Sequence, residues 1–172
     1  MIHASITSLD PADWIVVDDG VMGGRSRGQM EQVRGETRDS AALRFHGVLR
    51  TQGGGFTSIR SRGMSQRLDG GGTIVLRVKG DGRRYVCDLR DSPRLRGFSA
   101  TWKLGFRTEE DRWTDVRLPV ADFEPFWRGS QLDRRRVEGS APFWQLVRSI
   151  GFTVADGIDG PFSLVIGRIG TG

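Results

Sequence analysis

Apolar and polar residues alternate along much of the chain, and this two-residue period predicts β-strands rather than helices. The clearest case is 98–106, where apolar residues lie on one face and polar residues or glycine on the other. Short helical turns are predicted at 10–14, 119–123 and 142–148, and 124–141 is expected to be irregular. Further strands are predicted for the apolar or alternating stretches 14–17, 41–49, 56–60, 73–79, 83–90, 113–118, 149–154 and 162–169.

Glycine-rich reversals separate these stretches. The chain has 25 glycines in 172 residues, about twice the usual share. Gly80-Asp81-Gly82 predicts a hairpin between the strands on either side, and we interpret Gly53-Gly54-Gly55 as a hairpin turn as well. Many short strands with little helix favour one all-β domain over residues 1–172. We predict a two-sheet β-sandwich of the jelly-roll type with one or two short helices.

Composition narrows the class of protein. The net charge is +5, and arginine makes up all but two of the 26 basic residues. We favour codon bias in a GC-rich genome as the cause, over an anion-binding face that would use guanidinium geometry. The lone Cys87 excludes an intrachain disulfide and a cysteine-based zinc site, and it fits a reducing compartment. We find no membrane-spanning apolar run and no targeting pattern, so we expect a bacterial cytoplasmic protein.

The segment 14–26 concentrates turn-forming and polar residues at the end of a predicted strand. Asp18-Asp19-Gly20 and Gly23-Gly24 are turn sequences, and Arg25 and Ser26 follow them. The two carboxylates could bind a cation or transfer protons. We favour the alternative that they accept backbone N–H bonds and stabilise the turn. A structural calcium stays open as an interpretation, although no spaced set of ligands accompanies the pair.

The sequence contains no catalytic signature. It shows no nucleophile beside a base, and His3 and His46 are far apart in sequence. The two glycine-rich turns lack the Lys-Ser/Thr ending of a phosphate-binding loop, and the dinucleotide fingerprint is absent. We therefore predict a protein that is not an enzyme and that holds no cofactor or metal. An enzyme built on carboxylates such as Asp19 and Asp81 is the least favoured alternative.

Two cationic segments bear on the choice of partner. Trp127-Arg128-Gly129 joins an aromatic ring to a cation, which suits either the stacking of a planar or sugar face or the anchoring of a loop. Arg134-Arg135-Arg136 is a short basic run between acidic residues, and we expect a solvated loop there. Nucleic-acid recognition needs a larger patch with interleaved aromatic residues, so no DNA partner is predicted.

A set of short sequence blocks occurs along nearly the whole chain, and the order and spacing of the set are specific. The blocks are 14–19, Val21-Met22-Gly23-Gly24-Arg25-Ser26, Phe45-His46-Gly47, Gly53-Gly54-Gly55-Phe56-Thr57-Ser58-Ile59-Arg60, Gly80-Asp81-Gly82-Arg83-Arg84-Tyr85, Trp113 with Val116-Arg117-Leu118-Pro119, Phe123, Phe126-Trp127-Arg128-Gly129, Ile150-Gly151-Phe152 and Gly160-Pro161-Phe162-Ser163-Leu164. In this arrangement, the chain resembles the complex I intermediate-associated protein 30 family.

The resemblance implies a galactose-binding-like β-sandwich, related in shape to carbohydrate-binding modules. It also implies a role like that of the mitochondrial members, which help to assemble respiratory complex I and are not part of the finished enzyme. The sequence shows neither their N-terminal extension nor the nucleotide-binding domain of some plant and algal relatives. We therefore expect a bacterial single-domain member.

These observations together predict a non-catalytic interaction domain that acts as an assembly factor or chaperone. Its partners would be proteins, such as respiratory-complex subunits or assembly intermediates. The loops 22–26, 56–60 and 127–129 are expected to converge on one surface. The alternative is a jelly-roll module that binds a saccharide or an anionic small ligand, which the fold supports only by analogy. The candidate binding residues are Asp18, Asp19, Met22, Arg25, Ser26, Phe56, Ser58, Arg60, Trp127 and Arg128.

Overall fold

The computed structural model describes residues 5–91, 99–138 and 142–172. Within them, short 3-10 turns occur at Pro11–Asp13, Asp19–Met22, Val120–Asp122 and Phe143–Gln145, and one α-helix, α1, spans Arg134–Glu138. The strands of the described residues are β1 Trp14–Asp18, β2 Arg27–Arg34, β3 Ala41–Leu49, β4 Thr57–Ser61, β5 Thr73–Lys79, β6 Arg84–Asp91, β7 Thr101–Arg107, β8 Trp113–Pro119, β9 Glu124–Trp127, β10 Ser130–Gln131, β11 Val147–Val154 and β12 Gly160–Thr171.

The strands form two sheets. The seven-stranded sheet has the order β1-β4-β11-β6-β7-β9-β10, and the five-stranded sheet has the order β2-β3-β12-β5-β8. Neighbouring strands pair in the antiparallel sense, as in β6 with β7 and β5 with β8. The structure therefore confirms the predicted two-sheet β-sandwich.

The hydrophobic core lies between the sheets, because alternate residues of each strand point inward. In β7 the inward residues include Trp102 and Phe106, as the alternation predicts; Phe98 lies outside the described residues. Trp102 is fully buried and stacks on Phe143, with ring centroids 3.9 Å apart. Burial of such side chains is worth about 1.5–3 kcal/mol each. The same alternation places Thr101 and other polar residues on the outer face of the seven-stranded sheet.

The predicted hairpin at Gly80-Asp81-Gly82 is wrong. Strands β5 and β6 are both present, but β5 pairs with β8 and β12, whereas β6 pairs with β7 and β11. The turn instead carries the chain from one sheet to the other. Asp81 stabilises this crossing: its carboxylate accepts hydrogen bonds from the Tyr85 hydroxyl of β6 and the Ser163 amide of β12. Gly53-Gly54-Gly55 likewise joins strands of different sheets, so its assignment as a hairpin turn is wrong too.

Two other segments differ from the expectation. The exposed edge strand β2 was not predicted, because its polar residues give no apolar face. The segment 124–141, expected to be irregular, contains β9, β10 and α1. Arg134 is not simply solvated, since its guanidinium lies 5.4 Å from the Trp102 ring and donates to the Ala121 carbonyl. These elements are short and gain their order from contacts with β7 and the core.

Asp19 connects three chain segments at one end of the sandwich. It is fully buried, and its carboxylate accepts hydrogen bonds from the amide and hydroxyl of Ser26 and from the amides of Gly55 and Phe56. The Ser26 hydroxyl is also bonded to the backbone of Arg50. A buried carboxylate is tolerated only when such donors replace its water. Asp19 therefore fixes the loops that precede β2 and β4.

Two glycines leave the space that this carboxylate occupies. A side chain at Gly24 would overlap the Asp19 carboxylate, and a Cβ at Gly54 would lie 2.6 Å from Asp19 Oδ2. Neither glycine has a positive φ, so their requirement is steric. The glycines of the 23–24 and 53–55 segments thus serve partly to admit a buried acid, which local turn chemistry does not reveal.

We expect Gly24→Ala to destabilise the protein by about 1–3 kcal/mol, because its methyl group would displace the Asp19 carboxylate. Gly20→Ala is the matched control, since a Cβ at Gly20 meets nothing within 4 Å. That variant should stay within about 0.5 kcal/mol of the original protein. Urea unfolding followed by circular dichroism measures both free energies. Equal stabilities of the two variants would contradict this account of Gly24.

A second prediction concerns acid. Burial by itself raises the pKa of Asp19, but the hydrogen bonds from Gly55, Ser26 and Phe56 outweigh it and hold the pKa below its ordinary value of 3.8. For an acid with a lowered folded pKa, stabilisation is complete above the ordinary pKa and is lost as pH falls through the folded value. We expect Asp19→Asn to be about 2 kcal/mol less stable at neutral pH. The gap to the original protein should narrow below pH 3.8.

Chemical unfolding of both proteins from neutral pH to strongly acidic pH measures this gap. Asp39→Asn is the control, because Asp39 is exposed and should not alter stability at any pH. A gap between Asp19→Asn and the original protein that does not change with pH would count against the charged role of Asp19.

Candidate functional site

A cleft of about 460 Å³ lies on the outer face of the seven-stranded sheet. Its floor comes from β4, β11, β6, β7 and β9, and loop residues close one side. Five neighbouring strands are separated by four spacings of about 4.8 Å, so this floor is about 19 Å wide. The cleft is large enough to bind a small ligand or an extended segment of a partner.

The strand register sets the charged residues of the floor. Arg60 lies opposite Gly151, Gly151 opposite Asp88, and Asp88 opposite Lys103. Opposite residues of paired strands point to the same face, so these positions form one row across four strands. Gly151 adds no side chain to the row, and a Cβ there would lie 2.5 Å from the Ile59 carbonyl oxygen. The row therefore has a gap in side chains between Arg60 and Asp88.

Asp88 is the one carboxylate among the described residues that line the cleft. Its side chain is 12% exposed, and the Thr153 hydroxyl donates to Oδ2. Within the described residues, Oδ1 accepts no hydrogen bond, and Lys103 Nζ lies 3.8 Å from it. Burial raises the pKa of Asp88, while Lys103, Thr153 and two arginines partly offset that rise. Because Oδ1 is itself buried, Asp88 acts on the cleft through its charge rather than as an open acceptor.

Cations outnumber this carboxylate in the cleft. Arg60, Arg90, Lys103 and Arg128 all line it. Burial lowers the pKa of Arg60, and so does the positive charge of Arg90, while Asp88 acts in the opposite direction. A guanidinium remains charged at neutral pH despite such a shift. The cleft therefore carries a net positive charge that favours an anionic group.

The structure brings together half of the residues predicted from sequence. The cleft is lined by Met22, Phe56, Ser58, Arg60 and Arg128, so each of the three predicted loops contributes to it. Met22 is 70% exposed at the edge. Arg128 and Gly129 form the two-residue turn between β9 and β10, and both have positive φ as in a type I′ hairpin.

The other predicted residues do not line the cleft. Asp19 and Ser26 are buried in the hydrogen-bond network described above. Asp18 accepts hydrogen bonds from the Gly28 amide of β2 and the Thr57 hydroxyl of β4, so it links strands rather than the turn that follows it. Arg25 is exposed. Trp127 is 45% exposed, and the Arg128 guanidinium lies over its ring, 4.8 Å from the ring centre.

Sequence reasoning missed the floor of the cleft. Asp88 and Arg90 occupy the polar face of β6, and Thr101 and Lys103 occupy that of β7. The alternation in both strands did indicate that these side chains point away from the core. It gave no sign that this outer face forms a cleft, because its shape depends on how distant strands assemble.

Neither a metal cluster nor a membrane-spanning helix occurs in the part of the chain that the structure describes. There, no group of three or more His, Cys, Asp or Glu side chains is placed to hold a metal ion. No helix formed by those residues is long and apolar enough to cross a membrane. His46 lies 3.4 Å from Glu31 on the five-stranded sheet, and His3 is outside the described residues.

Several solved structures with a similar architecture are carbohydrate-binding modules. A family 11 module from Clostridium thermocellum, in complex with a β-1,3-1,4-mixed-linked tetrasaccharide, superposes with a TM-score of 0.70. The match covers 96% of this chain and 92% of that one at 14% identity. A family 30 module of a C. thermocellum cellulosomal cellulase gives 0.57 at 14% identity, over 84% and 82% of the two chains. These likenesses confirm the predicted galactose-binding-like jelly-roll fold, and at this identity they show the fold alone.

The sequence has a curated relative in mouse, the mitochondrial Complex I intermediate-associated protein 30. The two are 28% identical over 175 residues, which cover 91% of this chain and 51% of the mouse protein. The chain thus spans about half the length of this relative. Residues 5–166 match the sequence profile described as Complex I intermediate-associated protein 30. Because this match extends over most of its length, the chain belongs to the Complex I intermediate-associated protein 30 family.

Proposed function

We propose that the chain is a non-catalytic interaction domain that helps to assemble a respiratory complex. In this proposal the cleft on the seven-stranded sheet binds a protein partner, namely a subunit or an assembly intermediate. Family membership and the name of the mouse relative support the assembly role. The cleft provides a surface on which such a role would act, and its chemistry is that of binding rather than of bond breaking.

The observation that carries the proposal is the set of uncommitted charged groups in the cleft. Within the described residues, neither Arg60 nor Arg90 forms a side-chain hydrogen bond or ion pair, although both interact electrostatically with Asp88. Arginines held on strands with their guanidinium groups free are suited to carboxylates of a partner. A general acid or base would need a reacting group positioned beside it, and the described residues that line the cleft include no second carboxylate and no histidine.

Arg128→Lys tests the role of the cleft. We expect capture of respiratory-complex subunits from the native organism to fall about tenfold, because lysine keeps the charge but loses the planar fork of donors. The melting temperature should stay within about 2 °C, since the Arg128 side chain is exposed. Affinity capture with quantitative mass spectrometry and thermal unfolding are the measurements.

Arg38→Lys is the matched control for this experiment, because Arg38 is an exposed arginine between β2 and β3 of the other sheet. It should leave capture unchanged. If no respiratory subunit is enriched by the original protein, the assembly role is wrong. If Arg128→Lys captures as much as the original, Arg128 does not belong to the contact surface, and loss of folding would assign it to structure.

A second candidate function is saccharide binding, which the fold of the family 11 module in its tetrasaccharide complex favours. The aromatic residues that line the cleft are Phe56 and Phe126, and the Lys103 ammonium lies 5.5 Å from the centre of the Phe126 ring. One ring is therefore already engaged by a cation, which reduces the aromatic surface that a sugar ring could use.

We expect titration calorimetry of the protein with a β-1,3-1,4-mixed-linked tetrasaccharide to show no saturable heat at saccharide concentrations up to about 1 mM. Even weak specific complexes would be detected in that range. The reason is the small aromatic surface of the cleft, in which Lys103 already engages the Phe126 ring. Saturable binding that Arg60→Gln or Arg128→Lys weakens would instead favour the saccharide function over the protein-binding one.

A further inference from the structure

We propose that the cleft binds an extended acidic peptide segment of its partner. In the complex, Arg60 and Arg90 would hold one side-chain carboxylate of the segment. This inference rests on the proposed function and specifies the chemistry of the partner at the same site.

The first argument is the contrast between Arg60 and Arg90 and three arginines on the outer face of the other sheet. On the five-stranded sheet, Arg44 pairs with Glu31, Arg77 pairs with Glu36 and Asp115, and Arg168 pairs with Asp115. Such pairs are typical of a solvated sheet surface.

On the seven-stranded sheet, by contrast, Arg60 and Arg90 stand on either side of one carboxylate and form no ion pair within the described residues. Arg90 lies two residues from Asp88 along β6, and Arg60 lies two strands away across Gly151. Two guanidinium groups that raise each other's electrostatic energy are stabilised when an anion binds between them. Burial first, and then the positive charge of Arg90, lowers the pKa of Arg60.

The second argument is the mixture of charges at the floor. Among the described residues, four cations and one carboxylate line the cleft, which leaves a net charge of +3. The negative charge of Asp88 repels a dense polyanion more than it repels a single carboxylate. A peptide can present one acidic side chain among neutral residues, and so it meets the arginines without bringing further negative charges close to Asp88. This combination favours a peptide over an anionic polysaccharide.

The third argument is the shape of the cleft. Its floor is about 19 Å wide, which an extended chain crosses in about six residues. Met22 and Phe56 line the side formed by loops, and Phe126 lies at the β9 side. Apolar side chains of the segment can contact these residues while its carboxylate reaches the arginines between them. We therefore expect an acidic residue flanked by apolar ones.

The test uses the full chain and an array of peptides of about eight residues, a length that spans the floor. The peptides come in pairs that differ only by Asp against Asn, or Glu against Gln, at the central position. The strongest pairs are resynthesised with a fluorescent label, and their affinities are measured by polarisation at about 50 mM and about 500 mM salt. Polygalacturonate, an anionic saccharide, is titrated in parallel.

We expect the acidic member of each pair to bind about tenfold more tightly than the neutral member at low salt, because it gains one strong charged contact. This preference for the acidic peptide should shrink at high salt. Arg90→Gln should remove the preference, and its exposed position allows the variant to fold. Arg60→Gln should do the same. Arg38→Gln, the matched control on the other sheet, should retain it.

Equal binding of the acidic and neutral members overturns the proposal, as does binding of neither. Binding of polygalacturonate with the same dependence on Arg60 and Arg90, but of no peptide, overturns it in favour of an anionic saccharide. The capture experiment with Arg128→Lys judges the proposed function separately. If capture of respiratory subunits depends on Arg128 but is not inhibited by acidic peptides, the proposed function holds. In that case the partner does not bind through an acidic segment, and this inference is wrong.

Discussion

The buried carboxylate of Asp19 is the interaction that holds one side of the cleft in place. Its hydrogen bonds reach from the turn after β1 to the start of β2 and to the loop before β4. Met22 and Phe56, which line the cleft, belong to the turns that it joins. Since a buried acid without donors is strongly unfavourable, the loops must adopt the arrangement that supplies them. The glycines beside it are the steric counterpart of that requirement.

A second consequence concerns how the sandwich distributes charge. Three arginines of the five-stranded sheet, Arg44, Arg77 and Arg168, pair with neighbouring acids, whereas Arg60 and Arg90 form no ion pair within the described residues. Uncompensated charges on strands are costly unless water or a partner satisfies them, and strands hold them in fixed positions. Such a rigid and unneutralised arrangement is what a binding surface needs, because little order has to be gained when the partner arrives. The excess of arginine in the composition has a structural use at this face, whatever its genomic origin.

The fold and the function are separate questions in this protein. The sandwich is shared with a carbohydrate-binding module at 14% sequence identity, and this likeness shows the architecture alone. Two aromatic rings on this side of the sandwich are covered by cations, since Lys103 lies over the Phe126 ring and Arg128 over the Trp127 ring. The proposal of a protein partner rests on family membership and on the charge of the cleft, and not on the fold.

The sequence by itself determined most of the strands, their inward faces and the family, because period-two alternation and ordered sequence blocks are local properties. It did not reveal β2, β9 and β10, which are polar or very short. The tertiary structure alone decided the pairing: β5 and β6 flank a turn sequence typical of hairpins, yet they lie in different sheets. It also decided that Asp19 is buried while Arg60 and Arg128 line the cleft. The alternation could place Asp88 and Lys103 only on an outer face. Their meeting with Arg60 depends on β11 inserting between β4 and β6, a contact between segments about 60 to 90 residues apart that no local pattern encodes.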